Sequence, residues 1–378
     1  MFAHAISRRS SDRSRRDPTA PTRHLDPLLL ACTVTLSLIG IVAVYSSTRT
    51  RYGSSYLVKQ SLFVAIGAGA LALFALVDYR KLHDWAWFFY GATTLLLVAV
   101  ISPLGSTSKG AQSWFALGPF QLQPAEFAKL SLIGILAYLL SEYRGDIDLR
   151  RLATIIGVAL LPMGLIMLQP DLGETLIMVV VSIVLLLVGG VRARYLVALA
   201  LVGLIGVFGA LNSPVLASYQ RDRLTAFANP QDKSNPAVYN LDQSQQAIAN
   251  GGIAGKGLFD GPQTRLGFVP EQQTDFIFTA IAEEFGFIGG ATVLLLLAVL
   301  CYRIWRTAQI ARDQFGTLLC MGVLAAFAFG IFENVGMALG IMPVTGIPLP
   351  LVSAGGSSIV TALAMIGLVL NVHMRRFQ

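Results

Sequence analysis

Three acids stand together where a polar stretch of this chain runs into an apolar one. Asp275 ends the polar segment, and Glu283 and Glu284 follow inside the apolar run. A carboxylate at such a junction can take a proton from a substrate hydroxyl, or it can cap the helix that follows. Both readings stand for Asp275. Glu283 would lie about two turns deeper and a quarter-turn around the helix, where a structural pairing is an equal alternative to catalysis. Glu333 and Asn334 raise the same question in a later apolar run. Ionisable groups at membrane depth are costly unless they face protein or water, so each is a functional candidate by default.

Further polar residues cluster elsewhere. Glu126 and Lys129 follow Pro124 three apart, which puts them on one helical face. They form either an internal ion pair or a cation aimed into an outward-facing cavity, able to hold an anionic leaving group. Trp114 and Phe115, just before them, read as anchors at the lipid–water boundary. Asp171 and Glu174 have the spacing of a helix N-cap and its third-position partner, and capping alone accounts for them. Pro343, Pro348 and Pro350 exclude a regular helix. Irregular backbone at that depth is tolerated only when buried in protein or lining a cavity. Ser353, Gly355, Gly356, Ser357 and Ser358 then open a final apolar run, where free N–H groups at a helix start can receive an anion.

The elements that must hold these residues are membrane helices. The hydrophobic fraction is 54%, the charged fraction 13% and the mean hydropathy +0.65, whereas a soluble domain is about 25% charged. Apolar runs long enough to cross a bilayer fall at 28–45, 57–77, 85–101, 125–140, 152–168, 172–188, 195–211, 276–302, 316–341 and 357–372. The expected fold is therefore all-α and polytopic, with ten transmembrane helices. A long extracytoplasmic loop, 213–275, joins the seventh to the eighth. Arg80, Lys81, Arg150, Arg151, Arg192, Arg194, Arg303, Arg306 and Arg312 gather on one side, against Arg49, Arg51, Lys59 and Lys109 in the short loops of the other. By the positive-inside rule both termini are cytoplasmic, and all the polar clusters above lie at the outer ends of the spans.

Residues 1–26 read as a disordered basic tail attracted to anionic lipid, without the apolar core of a signal peptide. Residues 27–378 form the membrane domain. The net charge of +7 belongs to the tail and inner loops, so no nucleic-acid partner follows from it. Cys32, Cys301 and Cys320 lie in or at spans and suggest neither a disulfide framework nor a metal knuckle. More than fifty residues of outer loop point to a functional lid rather than a passive connector, with short interfacial helices expected at 215–227 and 242–249.

Five blocks carry a resemblance: KGAQSWFALGPFQLQPAEFAKL, QPDLGE, YQRDRLTAF, the stretch from YNLDQSQQAIANGG through PEQQTDFIFTAIAEEFGFIGG, and ENVGMALGIMPVTGIPLPLVSAGGSS. Together they resemble the SEDS family of cell-envelope proteins, over nearly everything after the tail and in the same ten-span order. The form GPQTRLGFVPEQQTDFIF, with Gln263 and Phe268, is closer to the rod-shape elongation branch than to the division branch. The resemblance implies a peptidoglycan glycosyltransferase of the inner (plasma) membrane that polymerises lipid II. It implies Asp275 as the essential catalytic residue, and Trp114, Lys129, Arg223 and Gln243 lining the same outward cavity as Glu126 and Ser357. It also implies a divalent cation, Mg or Mn, with ligands unassigned, and as partners a class B penicillin-binding transpeptidase and other elongation-complex membrane proteins. Ser113 stands where many members have Arg, and Gln273 where many have His. A lipid II flippase and a non-catalytic scaffold are the other classes open. Against the first, no internal repeat is visible and the polar groups cluster at the outer face rather than the midplane.

Overall fold

The computed structural model describes residues 24–108, 111–118, 120–143, 147–211, 223, 225–227, 229, 231–232 and 235–377. The tail up to residue 23, Lys109 and the first part of the expected helix at 215–227 lie outside these. Ten long helices appear where the apolar runs predict them: α1 Pro27–Tyr52, α2 Ser55–Leu76, α3 Tyr79–Ile101, α4 Pro124–Tyr143, α5 Leu149–Met167, α6 Leu172–Val188, α7 Ala193–Leu211, α10 Ile277–Gln309, α11 Gln314–Leu339 and α12 Gly356–Met374. Eight are long and apolar enough to cross a membrane, and α6 and α7 are shorter apolar helices between them. The exposed faces carry large apolar side chains such as Leu73, Phe88, Leu95 and Leu295. That is the surface of a helical bundle solvated by lipid rather than by water.

Short polar caps set the helix starts. Asp26, Asp148, Asp171 and Asp313 each accept a backbone N–H from the first turn of the helix they precede. Asp26 thereby belongs to the bundle and not to the tail: its carboxylate is buried and also binds Arg303 of α10 at 2.7 Å.

The contacts between helices show how the bundle closes. α12, almost entirely buried, lies against α2, where Gly67 and Gly367 permit the approach; a Cβ on Gly367 would sit 2.4 Å from the Leu71 carbonyl oxygen. α10 packs on both α1 and α11, and α11 on α4 and α6. Without a hydrophobic driving force between helices in lipid, small residues at such crossings supply the close packing that holds them.

One feature departs from a purely helical reading. Between α3 and α4 the chain forms a small antiparallel sheet of β1 Ser106–Ser108, β2 Ala111–Leu117 and β3 Phe120–Leu122, pairing Ser106 with Trp114 and Phe115 with Leu122. The outer loop forms α8 Pro236–Gly251, as the 242–249 expectation required, and the single turn α9 Pro262–Leu266.

The loop is riveted to α10. That helix breaks at Gly286, whose φ of 66° no ordinary side chain adopts comfortably. At the break, Lys256 and Gly257 donate to the carbonyls of Glu283 and Glu284, while Phe287 and Ile288 donate back to the carbonyls of Gly252 and Ile253. Gly255, at φ 86°, lets the two backbones touch, for a Cβ there would lie 2.1 Å from the Glu284 carbonyl oxygen.

Candidate active site

Glu283 and Glu284 sit at this junction, and their geometry decides between catalysis and structure. Glu283 is fully buried and accepts from the Gln263 N–H (2.8 Å), the Thr264 N–H (2.8 Å) and the Thr264 hydroxyl (2.6 Å). It caps α9. Glu284 accepts from the Ser46 hydroxyl of α1 and the Phe259 N–H, while Arg49 stacks on the Phe259 ring and donates to its carbonyl at 2.7 Å. Both acids hold the outer loop in place, and neither lines the cavity at Asp275.

Asp275 has a different setting. The N-cap of α10 is Phe276, with no side-chain cap, so the capping alternative for Asp275 does not hold. Its backbone is held at three points. Its own N–H donates to the Glu271 carbonyl (3.0 Å), and Asn334 of α11 donates to its carbonyl (2.8 Å). Two residues earlier, the Gln273 carbonyl accepts from Ala354 (2.8 Å). The same Asn334 amide donates to the Ile347 carbonyl (2.8 Å), so one buried side chain ties Asp275 to the proline-rich segment. Glu271, at φ 51°, makes the turn that delivers Asp275, the kind of unfavourable backbone that persists where surroundings impose it.

The Asp275 carboxylate opens on a cavity of about 230 Å³. All four polar clusters meet there: Trp114, Gln123 and Glu126; Asp171 and Glu174; Arg223; and residues 343–348 with 354–358. Arg223 donates to the Thr345 carbonyl at 2.9 Å. Gly346 stands between the Asp275 carboxylate and the Arg223 guanidinium. A Cβ built on it would lie 3.4 Å from Asp275 Oδ2 and 3.3 Å from Arg223 Nη1, so a side chain at this position would press on both groups. Ser357 accepts the Gln123 N–H (2.9 Å), and Gln123 donates its amide to Asp171 (3.2 Å), which closes the wall. The N-terminal ends of α4, α6, α10 and α12 all lie at this cavity. Each brings the positive end of a helix dipole, an arrangement that receives anions.

Lys129 is not the free cation one reading of the sequence proposes. It lies beneath the cavity, 3.0 Å from Glu126 and 3.0 Å from Glu174, with all three side chains buried. The ion-pair alternative is the one the geometry takes, extended to a third member. Asp171 caps α6 as expected, accepting the Glu174 N–H at 3.1 Å, but Glu174 turns to Lys129 instead of completing a capping box. Burial, with Glu174 beside it, pushes the Asp171 carboxyl up to about 6.

Trp114 lines the cavity from β2 rather than marking a lipid boundary. Gln243 is half-buried on α8 and is not among the lining residues. The adjacent Ser244 donates to the Ala338 carbonyl and fastens α8 to α11. Sequence reasoning left Asn334 without a role and did not single out Thr345 or Gly346. An amide two short helical turns before a proline-rich segment was the one available signal for Asn334, since irregular backbone needs a donor to satisfy its carbonyls.

Comparison with known proteins agrees with this construction. The family described as "Cell cycle protein" (FtsW, RodA, SpoVE) matches residues 24–378. The chain is 37% identical over 356 residues to stage V sporulation protein E of Bacillus subtilis, covering 92% of this chain and 96% of that one. It is 32% identical over 354 residues to peptidoglycan glycosyltransferase MrdB of Escherichia coli, covering 93% and 94%. In three dimensions it is similar to a chain of a peptidoglycan synthase complex that coordinates polymerization and crosslinking, with a TM-score of 0.81, 34% identity and 94% and 99% coverage. It is also similar to the rod shape determining protein RodA of Thermus thermophilus, with a TM-score of 0.69, 31% identity and 94% and 98% coverage. A fold shared along nearly the whole length, with identity above 30%, leaves one assignment: this multi-pass membrane protein belongs to the FtsW/RodA/SpoVE family of cell cycle proteins.

Proposed function

We propose that this chain is a peptidoglycan glycosyltransferase that polymerises lipid II on the outer side of the plasma membrane, with both termini cytoplasmic. One observation carries the chemistry: Asp275, which does not cap α10 and whose carbonyl is held by Asn334, shares a cavity with Arg223 and four helix N-termini. Lipid II offers a sugar, a pyrophosphate and a polyprenyl tail, and the cavity offers a base beside a cationic anion receptor. Asp275 accepts the proton of the acceptor GlcNAc 4-hydroxyl as that oxygen attacks C1 of the donor MurNAc. The C1–O bond to the pyrophosphate breaks, and polyprenyl pyrophosphate leaves with the bonding pair. Arg223 and the helix N-termini stabilise its charge. A single displacement inverts the anomeric centre, giving a β-1,4 glycan from an α-linked donor. Lys129 acts at one remove, keeping Glu126 and Glu174 in place beneath the site.

The resemblance also implies a divalent cation. Among the described residues no group of three or more His, Cys, Asp or Glu side chains could ligate one. This wall does not fit a resident metal ion, and no step here is routed through it. A cation would arrive with the donor's phosphates, which with one or two carboxylates make an ordinary Mg²⁺ environment. The partner in this reading is a class B penicillin-binding transpeptidase, together with other elongation-complex membrane proteins. The similar chain from a synthase complex supports that pairing, and the Gln263–Phe268 form of the outer loop supports the elongation branch.

Asp275→Asn tests the assignment. Asn keeps the size but cannot take a proton, so the purified variant, given lipid II and a divalent cation, should polymerise about 10²–10⁴-fold more slowly while folding normally. Glycan length on a gel is the readout. Polymerisation at a near-normal rate would refute the general-base role and bring the flippase and scaffold readings forward.

A further inference from the structure

A second cavity, of about 520 Å³, lies at the far end of α10 from Asp275, between the start of α1 and the end of α12. Its walls are cationic. Asp26, the acid among them, is already spent: its two oxygens accept from the Leu29 N–H and from Arg303, and its side chain is wholly buried. His373 is buried, its imidazole placed between the Thr307 hydroxyl (3.3 Å) and the Arg376 guanidinium, which brings no negative charge. Among the described residues neither Arg306 nor Arg376 is paired with a carboxylate. Among the described residues the pocket therefore carries two guanidinium groups with no carboxylate paired to them.

Its rim is apolar. Leu25 and Phe377 border the cavity and are 45% and 63% exposed. Beside Arg306 on α10, Tyr302 and Trp305 expose their rings and contact one another at 5.8 Å. Tyr and Trp gather at the headgroup level of a bilayer, which places the guanidinium groups at the depth of lipid phosphates. A cationic floor with an apolar rim at that depth matches a phospholipid better than a free anion.

We infer that this pocket is a binding site for the headgroup of an anionic phospholipid, held by Arg306 and Arg376, with its acyl chains against the exposed apolar rim. The inference is independent of the glycosyltransferase reading. Each arginine near an anionic lipid surface contributes about fivefold in affinity.

Delipidated full-length protein, titrated with phosphatidylglycerol, phosphatidylcholine or inorganic phosphate and read by native mass spectrometry, tests it. Phosphatidylglycerol should be retained in preference to the other two. Arg306→Gln with Arg376→Gln should weaken that retention by roughly 25-fold. Arg150→Gln with Arg192→Gln, remote exposed residues on the same proposed side, should change it less than about twofold if remote charge contributes little. Equal retention of the two lipids, equal occupancy by phosphate, or equal losses in the two double variants overturns the proposal. Should the pocket double variant melt early without lipid, the exposed Arg306→Gln alone supplies the same comparison, with about a fivefold loss expected.

Discussion

At the scale of single residues, the site depends on which acids are left with work to do. Asp275 keeps its carboxylate toward the cavity, while Glu126 and Glu174 are committed to Lys129. That commitment sets a cost. Lys129→Met removes the one charge between two buried carboxylates, and breaking such a pair costs about 3–5 kcal/mol. The variant should therefore melt markedly earlier in detergent as well as losing polymerisation. Full stability with lost activity would return Lys129 to direct contact with the pyrophosphate. Asp171 gives a test in pH. Its folded value of about 6 exceeds the ordinary carboxylate value near 3.9, so the folded protein binds the extra proton and loses stability as pH rises from about 4 to 6. Asp171→Asn caps equally well and carries no such proton. Its melting temperature relative to the parent should be higher at pH 7.5 and the difference should vanish near pH 4. A constant difference across that range would mean Asp171 does not titrate there.

At the scale of elements, the outer loop is held by backbone and not by side-chain packing alone. The break at Gly286 exposes two carbonyls and two N–H groups, and the 252–257 segment satisfies all four. Glu283 adds the cap of α9. Glu283→Ala leaves three donors without their acceptor, two of them buried on Thr264 at a cost of about 1–3 kcal/mol each. The loop should then loosen from α10, seen as faster proteolysis between residues 256 and 272 and as a lower melting temperature. Unchanged proteolysis would mean that the carbonyl pairing around Gly286 suffices alone. Function follows from this anchoring, because the same loop ends in the turn that presents Asp275.

Across the whole molecule, alternating helices bring the N-terminal ends of α4, α6, α10 and α12 to one side and the arginine-rich connections to the other. A single Cys in place of Asp232 or Gln263, in a background lacking Cys32, Cys301 and Cys320, should react with an impermeant thiol reagent in intact cells. One in place of Arg312 should not. Labelling at residue 312 from outside would invert the orientation and with it the outer placement of the Asp275 cavity.

The ten helices and the polar clusters between them were legible in the sequence, because bilayer thickness dictates the length of an apolar run and local caps dictate its start; α1 and α10 run seven residues past the apolar runs that predicted them, to Tyr52 and Gln309. The convergence of those clusters on one side was legible too, from helix alternation and arginine asymmetry. What each acid does was not. Asp275 and Glu283 look alike along the chain: two carboxylates, eight residues apart, at the mouth of an apolar run. Only the folded chain brings Thr264 to Glu283 and Asn334 to the carbonyl of Asp275, so that one acid caps α9 and the other is presented to the cavity. Lys129 was ambiguous for the same reason, since Glu126 is its neighbour in sequence but Glu174 reaches it only through the packing of α4 against α6. Local sequence determines which groups are buried; partners distant in sequence decide which of them hold the fold and which face the cavity.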